Sequence, residues 1–285
     1  MLTGTQFDRI RSLALRLAGI EMTDRHRESL GRRRPGLGRS GGGDWDELLD
    51  AAERGDPDGR RRFIERVTTR YTRFFRNPDQ LKAAAIQVEN VVRRRGGARL
   101  WSAGTSTGEE AYSLAWATRD VDPAGSDGSS VLATDIDEGA LAVAVAGRYS
   151  LAAVQDVEPA IRTELFEATE RADVWRVASE VRRRVEFRRV NLADLVWPVS
   201  GLFDVIFCRN VLMYLDPSYR YAVLERLASH LASDALLVLD PAEHLGRAAP
   251  HFQAQGPGIW RRRLATGPGW MRSGMEAALG KGMIS

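Results

Sequence analysis

An apolar run that ends in a cation and an amide is the first place in this sequence where chemistry could be done. Phe203-Asp204-Val205-Ile206-Phe207-Cys208 leads directly into Arg209-Asn210, and Tyr214 follows in the next turn. A buried strand with that ending presents hydrogen-bond donors to a ligand. Two other features match it. Gly104-Thr105-Ser106-Thr107-Gly108 follows the short apolar run Leu100–Ala103, and glycines let a backbone come close to a ligand. Asp135 closes a second apolar run, Val131 to Thr134, where a carboxylate can accept hydrogen bonds from both hydroxyls of a ribose. Each feature also has a plainer reading. The glycines could make an ordinary strand-to-helix turn, Asp135 could cap a helix, and Tyr214 could pack in a core. Asp137 is the better-placed cap, which leaves Asp135 for a ligand. Cys208 reads as a core residue.

These groups need a scaffold that brings strand ends together. From residue 100 onward, short apolar runs alternate with helical stretches: Leu100–Ala103, Val131–Thr134, Val185–Val190, Phe203–Cys208 and Ala235–Leu239 are the strand candidates. Helices are expected after the glycine turn, over Ala140–Ala146 and over Tyr219–Leu231. Such alternation predicts an α/β fold with a mainly parallel, doubly wound sheet. Asn77-Pro78 predicts a helix start, a capping residue and then proline, and Gly96-Gly97 predicts its stop. Residues 150–184 interrupt the alternation and read as a small insertion. Before residue 76 the chain reads as helical. Phe7, Ile10, Leu13, Ala14 and Leu17 recur at helical spacing up to Gly19. A basic stretch from Thr23 is broken at Pro35 and Gly36. The expected organisation is a helical unit over 1–76, an α/β domain over 77–263, and a poorly ordered tail over 264–285.

With 44% hydrophobic and 28% charged residues, the chain can build a packed core and is not expected to be disordered. No run approaches the roughly 18 apolar residues of a membrane span, and MLTGTQFDRIRS lacks the apolar run of a signal peptide. A single cysteine gives no disulfide framework. A cytoplasmic protein that is not membrane-embedded is expected. The net charge of +3 is carried by arginine clusters, at 25–39, 60–62, 93–95 and 182–184. They suit an acidic protein or a nucleic acid, or are simply solvated. His26, His230, His244 and His251 have no metal-ligand spacing, so no metal is expected.

At this point several strings acquire a collinear resemblance. WSAGTSTGEEAYSLA at 101–115 resembles the S-adenosylmethionine loop of the CheR family of chemotaxis receptor methyltransferases. ATDID at 133–137, VNL at 190–192 and FDVIFCRNVLMYL at 203–215 resemble later motifs of that family, in the same order. TTRYTRFFR at 68–76 and residues 7–30 resemble its linker and the start of its N-terminal domain, so about residues 7–245 are covered. The resemblance implies a class I, Rossmann-like methyltransferase with a small helical N-terminal domain and a small inserted β subdomain. It implies S-adenosylmethionine as cofactor, S-adenosylhomocysteine as product, and methyl esterification of glutamates on the cytoplasmic domain of a chemoreceptor. Carried over by position, the cofactor-binding residues are Thr72, Arg76, Ala103, Gly104, Glu110, Asp135, Ile136, Asn191, Leu192, Arg209 and Asn210. Arg76 and Tyr214 are the pair expected to orient the incoming carboxylate.

The chemistry asks for little else. A glutamate carboxylate, with a reference pKa of about 4.3, is already an ionised nucleophile at neutral pH, so no general base is needed. Alignment carries the rate. Some residues depart from the family pattern. Arg70 replaces an asparagine near the cofactor, Ala111 a proline, and Asp240-Pro241-Ala242-Glu243 a Gly-His-Ser-Glu string. Pro35, Gly36 and Gly38 interrupt the basic helix that the family turns toward its receptor. The insertion's turn, ATERADVW, lacks the glycines of members that bind a receptor tail peptide. These departures keep open a CheR-like methyltransferase for another protein or a small molecule, and a cofactor-binding regulatory module without turnover. A nucleic-acid acceptor is disfavoured, because no DPPY or NPPY motif is present.

Overall fold

The computed structural model describes residues 2–32, 45–121 and 131–263. The first helix, α1 (Gly4–Ala18), opens on a capping box. Thr3 Oγ1 accepts from the Gln6 amide, and the Gln6 side chain accepts from the Thr3 amide. It ends at Gly19, whose φ of 64° is the left-handed conformation a C-cap favours. Helices α2 (Asp24–Arg32), α3 (Trp45–Glu53) and α4 (Pro57–Val67) follow. The stripe of Phe7, Ile10, Leu13 and Ala14 packs with Leu49 and Phe63 in a core of its own. Outside it, Arg9 bridges Asp50 and Glu53 of α3, both at 2.6 Å. The expected break at Pro35, Gly36 and Gly38 and the tail over 264–285 lie outside the described residues.

Helix α5 (Pro78–Arg95) starts at the expected proline and stops at Gly96. Asn77 does not cap it in the expected way. Its φ is 56°, and its side chain makes no capping bond. Asparagine tolerates the left-handed conformation, and here it turns the linker sharply into the helix; an extended backbone is what aims a capping side chain.

The alternation then unfolds as predicted: β1 (Leu100–Ala103), α6 (Glu109–Ala117), β2 (Val131–Asp135) and α7 (Glu138–Ala146). The insertion folds as β3 (Arg148–Ser150), α8 (Leu151–Val154), α9 (Pro159–Leu165), β4 (Phe166–Ala168), β5 (Val174–Val177) and α10 (Ser179–Arg182). Its strands form a separate sheet ordered β3-β5-β4. The chain returns through β6 (Val185–Arg189), β7 (Phe203–Phe207), α11 (Pro217–Ser229) and β8 (Leu231–Val238), and closes with β9 (Phe252–Gly256) and β10 (Ile259–Arg262).

The main sheet has seven strands in the order β6-β2-β1-β7-β8-β10-β9. β6, β2, β1, β7 and β8 run parallel, and β10 runs antiparallel to both neighbours. Two apolar layers cover its faces. One holds Leu100, Leu114, Val205 and Val88; the other holds Trp101, Ile206, Leu227 and Leu237. Strands buried on both faces explain why the sequence shows unbroken apolar runs here rather than alternation. The doubly wound expectation therefore holds, with additions at its edge. β9 and β10 had no strong apolar run. α11 begins two residues earlier than expected because Asp216 caps it and Pro217 opens it. β8 starts at Leu231, which pairs with Phe203. Because the order turns back at β1, the ends of β1, β2 and β7 open onto one crevice, where ligands of such sheets bind.

Candidate active site

The glycine turn after β1 folds against β2. Gly104 and Thr105 both donate their amides to Thr134 O, at 2.8 and 2.9 Å. Gly104 has a φ of 84°, and a Cβ there would meet Val211 Cγ2 at 2.3 Å. The glycine is thus required by the loop after β7. Ser106 donates its amide to Asp135 Oδ2 at 2.8 Å, and Asp137 donates its amide to Asp135 Oδ1 at 2.9 Å. Each Asp135 oxygen therefore has one lone pair fixed by backbone and further accepting capacity. Burial pushes this carboxyl up to about 6, against the two amide bonds that pull it down. Asp137 is the cap of α7, accepting from the Ala140 amide at 2.9 Å, as anticipated.

These groups face one open cavity. Gly104 and Asp135 line it, with Ile136 beyond β2 and Asn191 and Leu192 beyond β6. From the β7 end come Arg209, Asn210 and Tyr214; from the linker, Thr72 and Arg76; from α6, Glu110. Ala103 is fully buried at the end of β1 and is not among the lining residues. Eleven of the twelve expected positions thus share one cavity.

Several of these side chains are already engaged by protein partners. Glu110 forms a buried pair with Arg209, Nε to Oε2 at 2.7 Å, and its other oxygen accepts from Ser102 Oγ at 2.7 Å. Arg209 Nη1 also donates to Arg76 O at 2.7 Å and to Gln80 Oε1 at 3.1 Å. The two residues carried over as ligand contacts form a strut that fixes the linker to the sheet. Removing either partner would strand a buried charge, a loss of about 3–5 kcal/mol. Asn191 donates Nδ2 to Leu17 O and to Asp194 Oδ1, and accepts from the Ala193 amide. Its side chain shapes the loop and ties it to α1.

The departures from the family pattern acquire contacts. Arg70 lines the cavity but aims its guanidinium at Asp137, with Nε and Nη2 both 2.7 Å from carboxylate oxygens. It replaces a polar group by a bidentate tie between the linker and α7. In the DPAE string, Glu243 accepts from the amides of Asn210, Met213 and Asp240, and burial pushes its carboxyl up. Asp240 accepts from Asn210 Nδ2 at 3.0 Å and pairs with Arg76 at 3.6 Å.

The N-terminal helices supply a wall that the motifs did not announce: Ala18, Ile20, Met22 and His26 line the cavity. Their docking is set by backbone. Ile20 bridges Leu215, Glu21 donates to Tyr214 O at 2.9 Å, and Asp216 donates to Gly19 O at 2.8 Å. Thr105 Oγ1 and Ser106 Oγ, also lining the cavity, are buried with no protein partner. Among the described residues, no cluster of three or more His, Cys, Asp or Glu could hold a metal ion. No described helix is long and apolar enough to cross a membrane.

The site fits S-adenosylmethionine: Asp135 can accept from the ribose hydroxyls, Ile136 and Leu192 offer apolar faces, and two orphaned hydroxyls await a partner. Residues 70–257 match the family described as CheR methyltransferase, SAM binding domain. The chemotaxis protein methyltransferase of Salmonella typhimurium is 32% identical over 265 residues, covering 91% of this chain and 90% of that protein. Chemotaxis protein methyltransferase 2 of Pseudomonas aeruginosa is 30% identical over 263 residues, 90% of this chain and 93% of that one. The corresponding protein of Escherichia coli K12 is 31% identical over 266 residues, 91% of each chain. With a class I sheet, a fitted cofactor cavity and relatives along nearly its whole length, the chain belongs to the CheR methyltransferase family and is an S-adenosylmethionine-dependent methyltransferase of the protein-glutamate O-methylating type.

Proposed function

We propose that this protein methylates glutamate side chains on the cytoplasmic domain of a chemoreceptor, and that Arg76 and Tyr214 present the carboxylate. The observation that supports the reading is the sharing of one cavity by Arg76, Tyr214 and Asp135: a guanidinium and a phenol suited to a carboxylate, and a carboxylate suited to a ribose. When bound, the cofactor supplies a methyl group on a sulfonium, which leaves with the sulfur retaining the bonding electrons. The protein's task is alignment. Asp135 fixes the ribose, and the guanidinium of Arg76 and the phenol of Tyr214 hold the acceptor oxygen in line with the methyl carbon. An ionised glutamate needs no proton removed, which suits a cavity whose one lining histidine, His26, accepts the Thr23 amide at Nδ1 (3.0 Å). The departures at Arg70 and Asp240 are absorbed by protein contacts, so neither favours another substrate.

The test uses methyl-labelled S-adenosylmethionine and receptor-containing membranes, followed by mild base. Release of labelled methanol is expected for a carboxyl ester; base-stable label would refute it. Arg76→Ala and Tyr214→Phe are expected to lower turnover more than cofactor affinity. Equal losses in both would refute the roles given to them.

A further inference from the structure

Arg76 is held at three points. Its carbonyl accepts from Arg209 Nη1 at 2.7 Å, its guanidinium carbon lies 5.5 Å from the centre of the Tyr71 ring, and Nη2 lies 3.6 Å from Asp240 Oδ2. The two charged side chains are 22% and 15% exposed, so the pair is shielded more than a surface ion pair. Asp240 is itself fixed. Oδ2 accepts from Asn210 Nδ2 at 3.0 Å, Oδ1 accepts from the Ala242 amide at 3.0 Å, and its own amide donates to Glu243. At 3.6 Å the contact is an ion pair and not a hydrogen bond, so the N–H donors of Arg76 stay available to an incoming carboxylate.

This resolves a tension in the reaction. A lone, partly buried guanidinium would bind the acceptor carboxylate tightly and lower its nucleophilicity. A guanidinium already sharing its charge with a fixed carboxylate can orient the acceptor while stabilising its ground state less, and only stabilisation gained in the transition state raises turnover. We propose that Asp240 is a positioning residue for Arg76, holding its guanidinium in the cavity and balancing its charge so that the acceptor carboxylate is aligned without being quenched. The inference rests on the role given to Arg76 above. It gives Asp240, a departure from the family string, a task that its neighbours in the chain do not reveal.

The experiment compares Asp240→Asn, Asp240→Ala and Arg76→Ala with the wild-type protein, using labelled S-adenosylmethionine and receptor-containing membranes. Cofactor affinity and thermal midpoint are read alongside. Asparagine can keep the contact with residue 210 once that amide flips, so Asp240→Asn tests charge with the fold preserved. Its kcat is expected to fall by about tenfold or more, with receptor KM unchanged or lower and cofactor affinity unchanged. Asp240→Ala is expected to lose at least as much. An unchanged kcat in Asp240→Asn, or a parallel loss of cofactor affinity, would overturn the proposal. If Arg76→Ala loses turnover while Asp240→Asn does not, only the role of Asp240 falls. If Arg76→Ala turns over normally, both fall.

Discussion

Lowering the pH from roughly 7.5 to roughly 5 should weaken nucleoside binding about tenfold, through Asp135. Burial raises this carboxyl to about 6 in the ligand-free protein. Ribose hydroxyls donate to the ionised form, so binding holds the proton off and affinity follows the ionised fraction. With a pKa near 6 that fraction is about 0.97 at the upper pH and about 0.09 at the lower, a difference of about 1.4 kcal/mol. The sign for stability is opposite. A raised carboxyl pKa contributes stability that is full below the unfolded value and is lost as pH rises through about 6. Ligand should therefore raise the melting temperature more above that pH than below it. Calorimetric titration with methylthioadenosine, which keeps the ribose but lacks the ionisable amino-acid end, isolates the effect. Asp135→Asn should bind weakly at every pH with a flat profile. A wild-type affinity independent of pH, or an Asp135→Asn variant that keeps the slope, would refute the reasoning.

Other consequences follow from the same contacts. Glu110→Ala or Arg209→Ala should each cost about 3–5 kcal/mol in denaturant unfolding, because the partner is left charged and buried. Gly104→Ala should cost about 2 kcal/mol or more, from its positive φ and the clash with Val211; adding Val211→Ala should recover only the steric share. Arg70→Ala should destabilise by about 1–2 kcal/mol while leaving cofactor affinity near wild type, since its guanidinium is spent on Asp137; a large affinity loss in titration would show that it touches the ligand.

The residues that announced the site were those at strand ends. Asp135 and Arg209-Asn210 follow unbroken apolar runs, and such runs must be buried strands whose ends meet at the crevice. What stayed hidden depends on contacts remote in sequence. Glu243 caps the turn at Asn210 from 33 residues away, and nothing in its own neighbourhood says so. Glu110 and Arg209 carried a family role as ligand contacts, yet their pairing across 99 residues emerges only when the fold brings the first turn of α6 to the segment after β7. β9 and β10 were missed because they are short and half-polar, β9 at the edge of the sheet and β10 next to it. Their one local signal was Gly256-Pro257-Gly258 between two runs that each begin on an apolar residue, a turn signature that also fits a loop. The N-terminal wall was invisible for a different reason: Ala18 and Met22 belong both to the core of the N-terminal helices and to the cavity wall, so periodicity reports their burial and not the side they offer to the cavity.

The bonds that join Gly19, Ile20 and Glu21 to Tyr214, Leu215 and Asp216 link segments nearly two hundred residues apart. Contacts of such long range form slowly compared with helices. The expected outcome is that Tyr214 reaches its place after the helices have formed. In refolding experiments methyl transfer should recover later than far-ultraviolet ellipticity; recovery of both in one phase would show that the two ends meet early.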